Sequence, residues 1–292
     1  MANPARRLAE NVGGDFFVDD SCIDCDACRQ IAPATFRDHG EQSSVYRQPR
    51  DADERLRALK ALVACPTSSI GATERHDYRA AIDAFPERIE ENVYFCGFTS
   101  EASFGAWSYL VVRPDAEGGN VLVDSPRYAS RLVKKIEALG GVRTIFLTHR
   151  DDVADHERYA QRFGAARVMH AGDNAARYGV ERAVEGEGAV RLDATLTAIP
   201  TPGHTRGHMV LLYGDKFLFT GDHLAWSPTR GTLTAFRSAC WYSWPEQTRS
   251  MERLLDYRFE WVLPGHGRIH HDSRAGMREH LRACVEWMKA TR

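Results

Sequence analysis

The residues of this chain best suited to chemistry lie in segment 148–156, which reads Thr-His-Arg-Asp-Asp-Val-Ala-Asp-His. The apolar, β-branched run at 142–147 before it predicts a buried strand, and the residues after it, 157–163, predict a helix. Two histidines and three aspartates can therefore converge at a strand-to-helix turn. Imidazole nitrogens and carboxylate oxygens are the ligands that Zn²⁺ and non-haem iron use in proteins. The alternative is that the aspartates cap the helix and the histidines are solvated.

Three further segments place ligand-type side chains directly after predicted strands. They read Thr-Pro-Gly-His-Thr-Arg-Gly-His at 201–208, Phe-Thr-Gly-Asp-His at 219–223 and Leu-Pro-Gly-His-Gly at 263–267. Glycine beside each candidate allows the backbone turn and close approach that a site built from several loops needs. One such histidine by itself is more often a core or surface residue. The four segments together predict a metal site.

Four of the seven cysteines crowd the first quarter of the chain, at Cys22, Cys25, Cys28 and Cys65. The first three are spaced i, i+3, i+6 on a predicted loop, and the fourth is followed by proline. In a reducing compartment such a group indicates a metal or cluster site rather than disulfides. A Cys₄ zinc site is the alternative, but zinc sites usually pair two separate Cys-x-x-Cys turns, so the spacing favours an iron–sulfur cluster.

The elements that must position these residues form two groups along the chain. Residues 1–88 hold the cysteines and a predicted helix at 54–63. Residues 89–292 alternate short strands with amphipathic helices, including predicted helices at 129–139, 244–257 and 273–288. Gly-Asp at 214–215 predicts a hairpin turn between two of the strands. The pattern predicts an α+β chain with a domain boundary near residue 88.

Composition restricts the range of functions. A formal net charge of −2 gives no electrostatic case for binding nucleic acid or an anionic membrane surface. No apolar run reaches the length of a membrane-spanning helix, and the first 14 residues contain no hydrophobic stretch typical of a signal peptide. We therefore expect a cytoplasmic protein with a small-molecule substrate, and a redox partner if the cluster transfers electrons.

The first domain resembles the single-cluster ferredoxins of bacterial type. The matching residues are the Cys-x-x-Cys-x-x-Cys loop, Ile-Ala-Pro-Ala-Thr-Phe at 31–36 and Cys-Pro-Thr-Ser-Ser-Ile at 65–70. The resemblance implies one [4Fe-4S] cluster held by the four cysteines, and it excludes a two-cluster ferredoxin because a second set of cysteines is absent.

The second domain resembles the metallo-β-lactamase superfamily, within it the glyoxalase II and persulfide dioxygenase branch. The resemblance is carried by the four His and Asp segments and extends over residues 92–292. It implies a four-layer αββα sandwich with metals at one edge of two sheets. One metal would be held by His149, His204 and the bridging Asp222. A second would be held by Asp155, His156, Asp222 and His266.

The chain departs from the family motif His-x-His-x-Asp-His. Two residues are inserted, and Asp151 or Asp152 falls where the second histidine belongs, so one metal loses an imidazole or exchanges it for a carboxylate. Persulfide dioxygenases hold a single Fe(II) with two histidines and one aspartate, and the corresponding set here is His149, His204 and Asp222. One or two divalent ions, zinc or iron, are therefore expected.

Three functions are compatible with these residues. The first is metal-dependent hydrolysis of an ester- or thioester-type small molecule, with Asp155 orienting the water and the [4Fe-4S] domain structural or electron-transferring. The second is redox chemistry at non-haem iron that receives electrons from the cluster. The third is a redox-sensing or electron-carrier protein without hydrolytic activity. Hydrolysis is the commonest activity in the superfamily that this domain resembles, and the nearly complete set of metal residues argues against the third function, so we favour the hydrolase.

Overall fold

The computed structural model describes residues 2–291. The chain forms two compact units, one of Met1–Val112 with Pro126–Gly141 and one of Arg113–Ser125 with Val142–Arg292. Among the described residues no helix combines the length and the hydropathy needed to cross a membrane.

The first unit carries the cysteines on short elements. Its helices are α1 (Ala27–Ile31), α2 (Ala52–Ala64), α3 (Arg79–Asp83) and α4 (Ser130–Ala138). Its strands are β1 (Phe16–Val18), β2 (Phe36–Asp38), β3 (Ser43–Val45), β4 (Ile70–Ala72), β5 (Glu87–Glu90), β6 (Val93–Phe95) and β7 (Tyr109–Val111). Antiparallel pairs join β1 to β4, β2 to β3, β5 to β6 and β6 to β7. Helix α2 confirms the predicted helix at 54–63, and Asp51 caps it by accepting a hydrogen bond from the Glu54 amide.

Residues beyond position 88 contact the cysteine region within this unit. Thr99 donates hydrogen bonds to the Ala64 carbonyl from its amide (3.2 Å) and from its hydroxyl (2.7 Å). The Arg127 guanidinium donates to the Val63 carbonyl at 3.2 Å. The last turn of α2, immediately before Cys65, is therefore fixed by residues that lie later in the chain, and the domain boundary near residue 88 stays a prediction.

The described residues of the second unit form strands β8 to β19 and three α-helices. Its strands are β8 (Val121–Val123), β9 (Thr144–Phe146), β10 (Ala166–His170), β11 (Arg182–Val184), β12 (Val190–Arg191), β13 (Leu196–Pro200), β14 (Met209–Tyr213), β15 (Phe217–Gly221), β16 (Ala225–Ser227), β17 (Thr232–Thr234), β18 (Trp261–Pro264) and β19 (His270–His271). Its helices are α5 (His156–Phe163), α6 (Trp244–Leu254) and α7 (Arg274–Ala290).

Strands β8 to β11 pair in parallel, and helix α5 forms the crossover between β9 and β10. Strands β12 to β15 are antiparallel, β18 adds to β15 in parallel, and β19 closes the order β12-β13-β14-β15-β18-β19. The predicted hairpin turn at 214–215 is confirmed, because Tyr213 pairs with Phe217 across it. Strands β16 and β17 form a separate hairpin.

The core of this unit lies between the six-stranded sheet and helices α6 and α7. Ile199, Val210 and Leu218 from the sheet pack with Met251 of α6 and Leu281 of α7, and all are at most 3% exposed. Burying a side chain of this size stabilises a fold by about 1.5–3 kcal/mol. This packing fixes the ends of β13, β15 and β18, after which His204, Asp222 and His266 follow.

Candidate metal centre

Four loops that follow strands bring the candidate ligands together. His149 follows β9, His204 follows β13, Asp222 follows β15 and His266 follows β18. Strands β15 and β18 are parallel neighbours, so Asp222 and His266 leave the sheet at the same edge. The Met209 amide of β14 donates to the Thr148 carbonyl at 2.8 Å, which ties the β9 loop to the second sheet.

The first ligand group consists of His149, His204 and Asp222, whose ligand atoms all lie within 4.8 Å of one another. The Nε2 atoms of both histidines lie 3.8 Å from Asp222 Oδ2. Asp151 joins them, because its Oδ2 lies 3.5 Å from His204 Nε2 and 3.9 Å from His149 Nε2. Four ligands around a tetrahedral zinc are about 3.4 Å apart, given bonds of about 2.0–2.1 Å. This group is close to that size.

The second ligand group consists of Asp152, Asp222 and His266, again within 4.8 Å of one another. His266 Nε2 lies 3.8 Å from Asp222 Oδ2. Asp222 belongs to both groups. A Cβ on Gly265 would lie 2.8 Å from Asp152 Oδ2 and 2.9 Å from Asp222 Oδ1, so only glycine lets the two carboxylates approach this loop. The two adjacent aspartates of 148–156 therefore serve different groups, Asp151 the first and Asp152 the second.

The chemistry of these atoms fits bound cations. His149 Nε2, His204 Nε2, Asp152 Oδ2 and Asp222 Oδ1 are buried and have no hydrogen-bond partner among residues 2–291. Leaving such an atom unsatisfied costs about 1–3 kcal/mol, and more for a charged group. Burial lowers the pKa of His149 to about 4, so its imidazole is neutral and able to donate a lone pair. Burial and the nearby carboxylates raise the pKa of Asp152 well above its usual range, and a bound cation would reverse that effect.

Asp155 and His156, which the sequence assigned to the second metal, are in neither group. Asp155 precedes α5, and its Oδ1 lies 3.4 Å from Arg158 Nη1. His156 is buried at the start of α5, with its ring 6.0 Å from that of Tyr178 and its Nδ1 3.5 Å from Arg167 Nη1. This pair lies at the N-terminus of α5, and the carboxylate that lies near Asp222 and His266 is that of Asp152. His149, Asp151, His204, Asp222 and His266, which the sequence also named as metal ligands, lie in the two groups, and their role as ligands stays a prediction.

Thr148 and Asp124 orient the first histidine. Thr148 Oγ1 lies 3.0 Å from His149 Nδ1 and donates to the Asp124 carboxylate at 3.0 Å, while the Thr148 amide donates to Asp124 Oδ1 at 2.8 Å. When Nδ1–H donates to the threonine, the lone pair is on Nε2, the atom that faces Asp222. His208 is held similarly, with its Nδ1 2.9 Å from Thr201 Oγ1, and it lies behind His149 rather than in a ligand group.

Asp173 is a supporting residue that the sequence analysis missed. It is fully buried, and its Oδ2 accepts hydrogen bonds from the Arg150 amide (3.0 Å) and the Thr205 hydroxyl (2.6 Å). Its Oδ1 accepts from the Gly207 amide at 2.7 Å. One carboxylate thus ties the His149 loop to the His204 loop. It lies in the polar segment after β10, where no periodic pattern or motif distinguishes it.

A loop with two exposed aromatic residues borders His204. The Trp241 and Tyr242 amides donate to the His204 carbonyl at 3.0 Å, and the Trp241 ring lies 6.2 Å from the imidazole. These two side chains are 63% and 50% exposed, unusually high for aromatic residues in the described part of the chain. Tyr242 and Arg206 also line an adjacent cleft of about 620 Å³ that contains Glu187 and Glu246. The cleft is large enough for a small organic molecule.

The four cysteines of the first unit converge as predicted. Cys22, Cys25, Cys28 and Cys65 line one small cavity whose remaining wall is mostly apolar. Their thiols are free, and burial raises the pKa of Cys25 to about 12. Burial also raises the pKa values of Cys22 and Cys28, and an iron–sulfur cluster, which binds thiolates, would supply the positive charge that favours the ionised form. The Ser43 amide donates to Cys22 Sγ at 3.4 Å, as hydrogen bonds to cluster ligands do.

Comparison with known proteins agrees with both parts of the chain. Residues 18–72 match the model of the 4Fe-4S single cluster domain of ferredoxin I. Among solved structures, the metallo-β-lactamase from Hirschia baltica has a TM-score of 0.53 at 16% identity, covering 69% of this chain and 95% of that one. The metallo-β-lactamase TMB-1 has a TM-score of 0.53 at 18% identity, covering 70% and 97%. The protein therefore has the four-layer αββα metallo-β-lactamase fold together with a single-cluster ferredoxin domain.

Part of the chain is also similar in sequence to known enzymes. The chain is 34% identical over 113 residues to hydroxyacylglutathione hydrolase (glyoxalase II) of Acidiphilium cryptum, covering 37% of this chain and 46% of the relative. It is 29% identical over 140 residues to the enzyme of the same name from Rhizobium johnstonii, covering 47% and 52%. The chain thus spans about half the length of these relatives. The predicted resemblance to the glyoxalase II branch of the superfamily and to single-cluster ferredoxins is confirmed.

Proposed function

We propose that this protein is a metal-dependent hydrolase that cleaves an ester or thioester bond in a small molecule. The observation that carries the proposal is that two ligand groups share Asp222: His149, Asp151 and His204 on one side, Asp152 and His266 on the other. A carboxylate between two such groups is suited to a two-metal centre of the kind that hydrolytic enzymes use. The partial match to hydroxyacylglutathione hydrolases supports a thioester among the substrates.

Divalent ions held by these groups would supply Lewis-acid polarisation of the substrate carbonyl and a water of lowered pKa. The chain itself supplies orientation. Thr148 and Asp124 set the tautomer of His149, and Asp173 fixes the spacing between the His149 and His204 loops. Asp151 is the most accessible carboxylate of the first group, with a side chain 44% exposed, so it stands at the side that a substrate reaches.

The surface beside His204 would bind the rest of the substrate. The exposed faces of Trp241 and Tyr242 offer stacking for an apolar or planar part, and Arg206 offers a cation in the adjoining cleft. Glu187 and Glu246 line the same cleft, so its charge is mixed and a strongly anionic substrate is not favoured. These contacts support a small uncharged or zwitterionic group next to the scissile bond.

The test is a count of bound metal in variants, made on full-length protein purified without oxygen. Asp152→Asn should lose about one divalent ion per chain relative to wild type and most activity on model thioesters, because it removes the only carboxylate particular to the second group. Asp155→Asn is the matched control, and it should keep both the ions and the activity. If Asp155→Asn loses metal and Asp152→Asn retains it, the proposal is wrong, and Asp155 is the ligand of the second metal that the sequence analysis expected.

A second candidate function is redox chemistry at a single non-haem iron. It is favoured by one observation, that His149, His204 and Asp222 form a buried 2-His-1-carboxylate group in a chain that also has a cluster domain. The same metal analysis distinguishes the two functions. Zinc or another redox-inert ion with thioester hydrolysis supports the hydrolase, whereas iron beyond that of the cluster, with oxygen uptake on reduction, supports the oxidoreductase.

A further inference from the structure

A separate group of ligand-type side chains lies on the second unit. His270 is in β19, Asp272 follows that strand, and His280 is two turns into α7. One nitrogen or oxygen from each lies within 4.8 Å of the other two. None of the three belongs to the groups around Asp222, and their sequence spacing matches no metal motif.

His280 and Asp272 lie close together. His280 Nε2 lies 3.3 Å from Asp272 Oδ2, close to the separation of two ligands on one zinc ion, which is about 3.4 Å for bonds near 2.1 Å. The other oxygen, Oδ1, accepts a hydrogen bond from the Ser273 amide at 2.6 Å, so the carboxylate has a fixed orientation. Any Cβ on Gly276 would lie 2.2 Å from Asp272 Oδ2, so glycine in the first turn of α7 makes room for this oxygen.

Trp226 and Thr232, on the β16–β17 hairpin, hold the two imidazoles. The indole of Trp226 stacks on His270 with centroids 3.5 Å apart and an angle of 8°, and meets the ring of His280 edge-on at 4.9 Å. The Thr232 hydroxyl lies 3.3 Å from His280 Nδ1, which leaves Nε2 of that ring for the Asp272 side. Partners of this kind orient the histidines of established metal sites.

His270 is poorly explained as an ordinary surface residue. Its Nε2 is buried without a hydrogen-bond partner in the described part of the chain. The adjacent His271 lies on the opposite face of β19, where it stacks on Trp261 at 4.5 Å.

We propose that His270, Asp272 and His280 form a second metal site, which binds a divalent transition-metal ion such as Zn²⁺ and joins β19 to α7. Two imidazoles and one carboxylate select zinc, nickel or copper over magnesium and calcium. The His280 and Asp272 side chains are 26% and 37% exposed, so the ion exchanges with solvent and has open positions for water. Because α7 packs on the sheet through Leu281, the ion stabilises the docking of this helix.

The experiment is a calorimetric titration with Zn²⁺ of full-length protein that already carries its cluster and its Asp222-centre metals. Wild type should bind one further equivalent of Zn²⁺ and show a higher melting temperature in its presence. Asp272→Asn, which keeps the shape of the side chain and an acceptor for the Ser273 amide, should lose that equivalent and the melting shift. His280→Gln should do the same.

His271→Gln is the matched control, because it changes the neighbouring histidine on the opposite face and should keep the extra equivalent. The melting temperature of each variant without added zinc separates a folding defect from loss of the site. If wild type binds no extra ion, or if Asp272→Asn and His280→Gln bind as much as wild type, the proposal is wrong and the group is an ion pair. The result does not depend on the proposed hydrolase activity, since neither variant changes a residue around Asp222.

Discussion

Gly105 lies against a cysteine of the cluster cavity, and its replacement by alanine is the most direct test of how that cavity is built. Gly105 has φ +82°, and an added Cβ would lie 2.6 Å from Cys25 Cβ, 2.7 Å from Cys25 Sγ and 3.2 Å from Pro66 Cγ. Carbon atoms in contact are normally about 3.5–4.0 Å apart. The alanine methyl therefore overlaps a cluster ligand by about 1 Å, and Cys25 must move.

Two costs add at this position. A non-glycine residue in the left-handed region costs roughly 1–2 kcal/mol, and overpacking a tight site costs typically about 1–3 kcal/mol. We expect Gly105→Ala to destabilise the cluster-bound form by about 2–5 kcal/mol in total. Gly40→Ala is the matched control, because Gly40 has φ +77° in the same unit but nothing within 4 Å of an added Cβ. It should cost only about 1–2 kcal/mol.

The assay is the visible absorbance of the cluster, followed during incubation with a chelator, together with thermal unfolding. A difference of about 1–3 kcal/mol between the two variants corresponds to roughly a 5- to 150-fold difference in the equilibrium for cluster loss. Cys65→Ser, which removes a ligand, sets the signal of protein without a cluster. Equal cluster retention in Gly105→Ala and Gly40→Ala would show that segment 99–105 does not press on Cys25, and would refute the reasoning.

Two further predictions concern the support of the metal centre. Asp173→Ala should destabilise the fold by about 3 kcal/mol or more, because two backbone amides and a hydroxyl lose a buried acceptor. It should also weaken metal binding by about 10–100-fold. Urea unfolding and chelator competition measure these two effects, and unchanged values for both would contradict the role of this carboxylate. Burial raises the pKa of Asp124 to about 8. In metal-free protein the folded chain therefore keeps a proton on Asp124 between about pH 4 and pH 8, whereas the unfolded chain releases it. The free energy of unfolding should fall as pH rises through that window. Asp124→Asn should flatten this decline when the free energy of unfolding of chelator-treated protein is compared at pH 5 and pH 8, and an unchanged slope would mean that Asp124 is already ionised.

The sequence alone was enough to predict a metal-type site and the positions at which the neighbouring strands end. Apolar runs followed by Gly-His or Gly-Asp predicted where β13, β15 and β18 would end, because a buried strand and a glycine turn are both local properties. His204, Asp222 and His266 could therefore be named without a structure. The four cysteines could be grouped for a similar reason, since three of them lie within seven residues and cannot avoid one another.

Only the tertiary structure decided which carboxylate lies in which of the two candidate ligand groups. Segment 148–156 has no helical or strand period, so the direction of each side chain depends on individual backbone angles, such as the positive φ of Ala154 (33°). Those angles are set by contacts with distant residues, including Asp173, 23 positions from Arg150, and Gly265 beside Asp152. The group of His270, Asp272 and His280 was invisible for the same reason, because α7 must dock on the sheet before these side chains meet. Residue types determine which ligands are available, and the packing of segments that are distant in sequence determines which of those residues come together in one group.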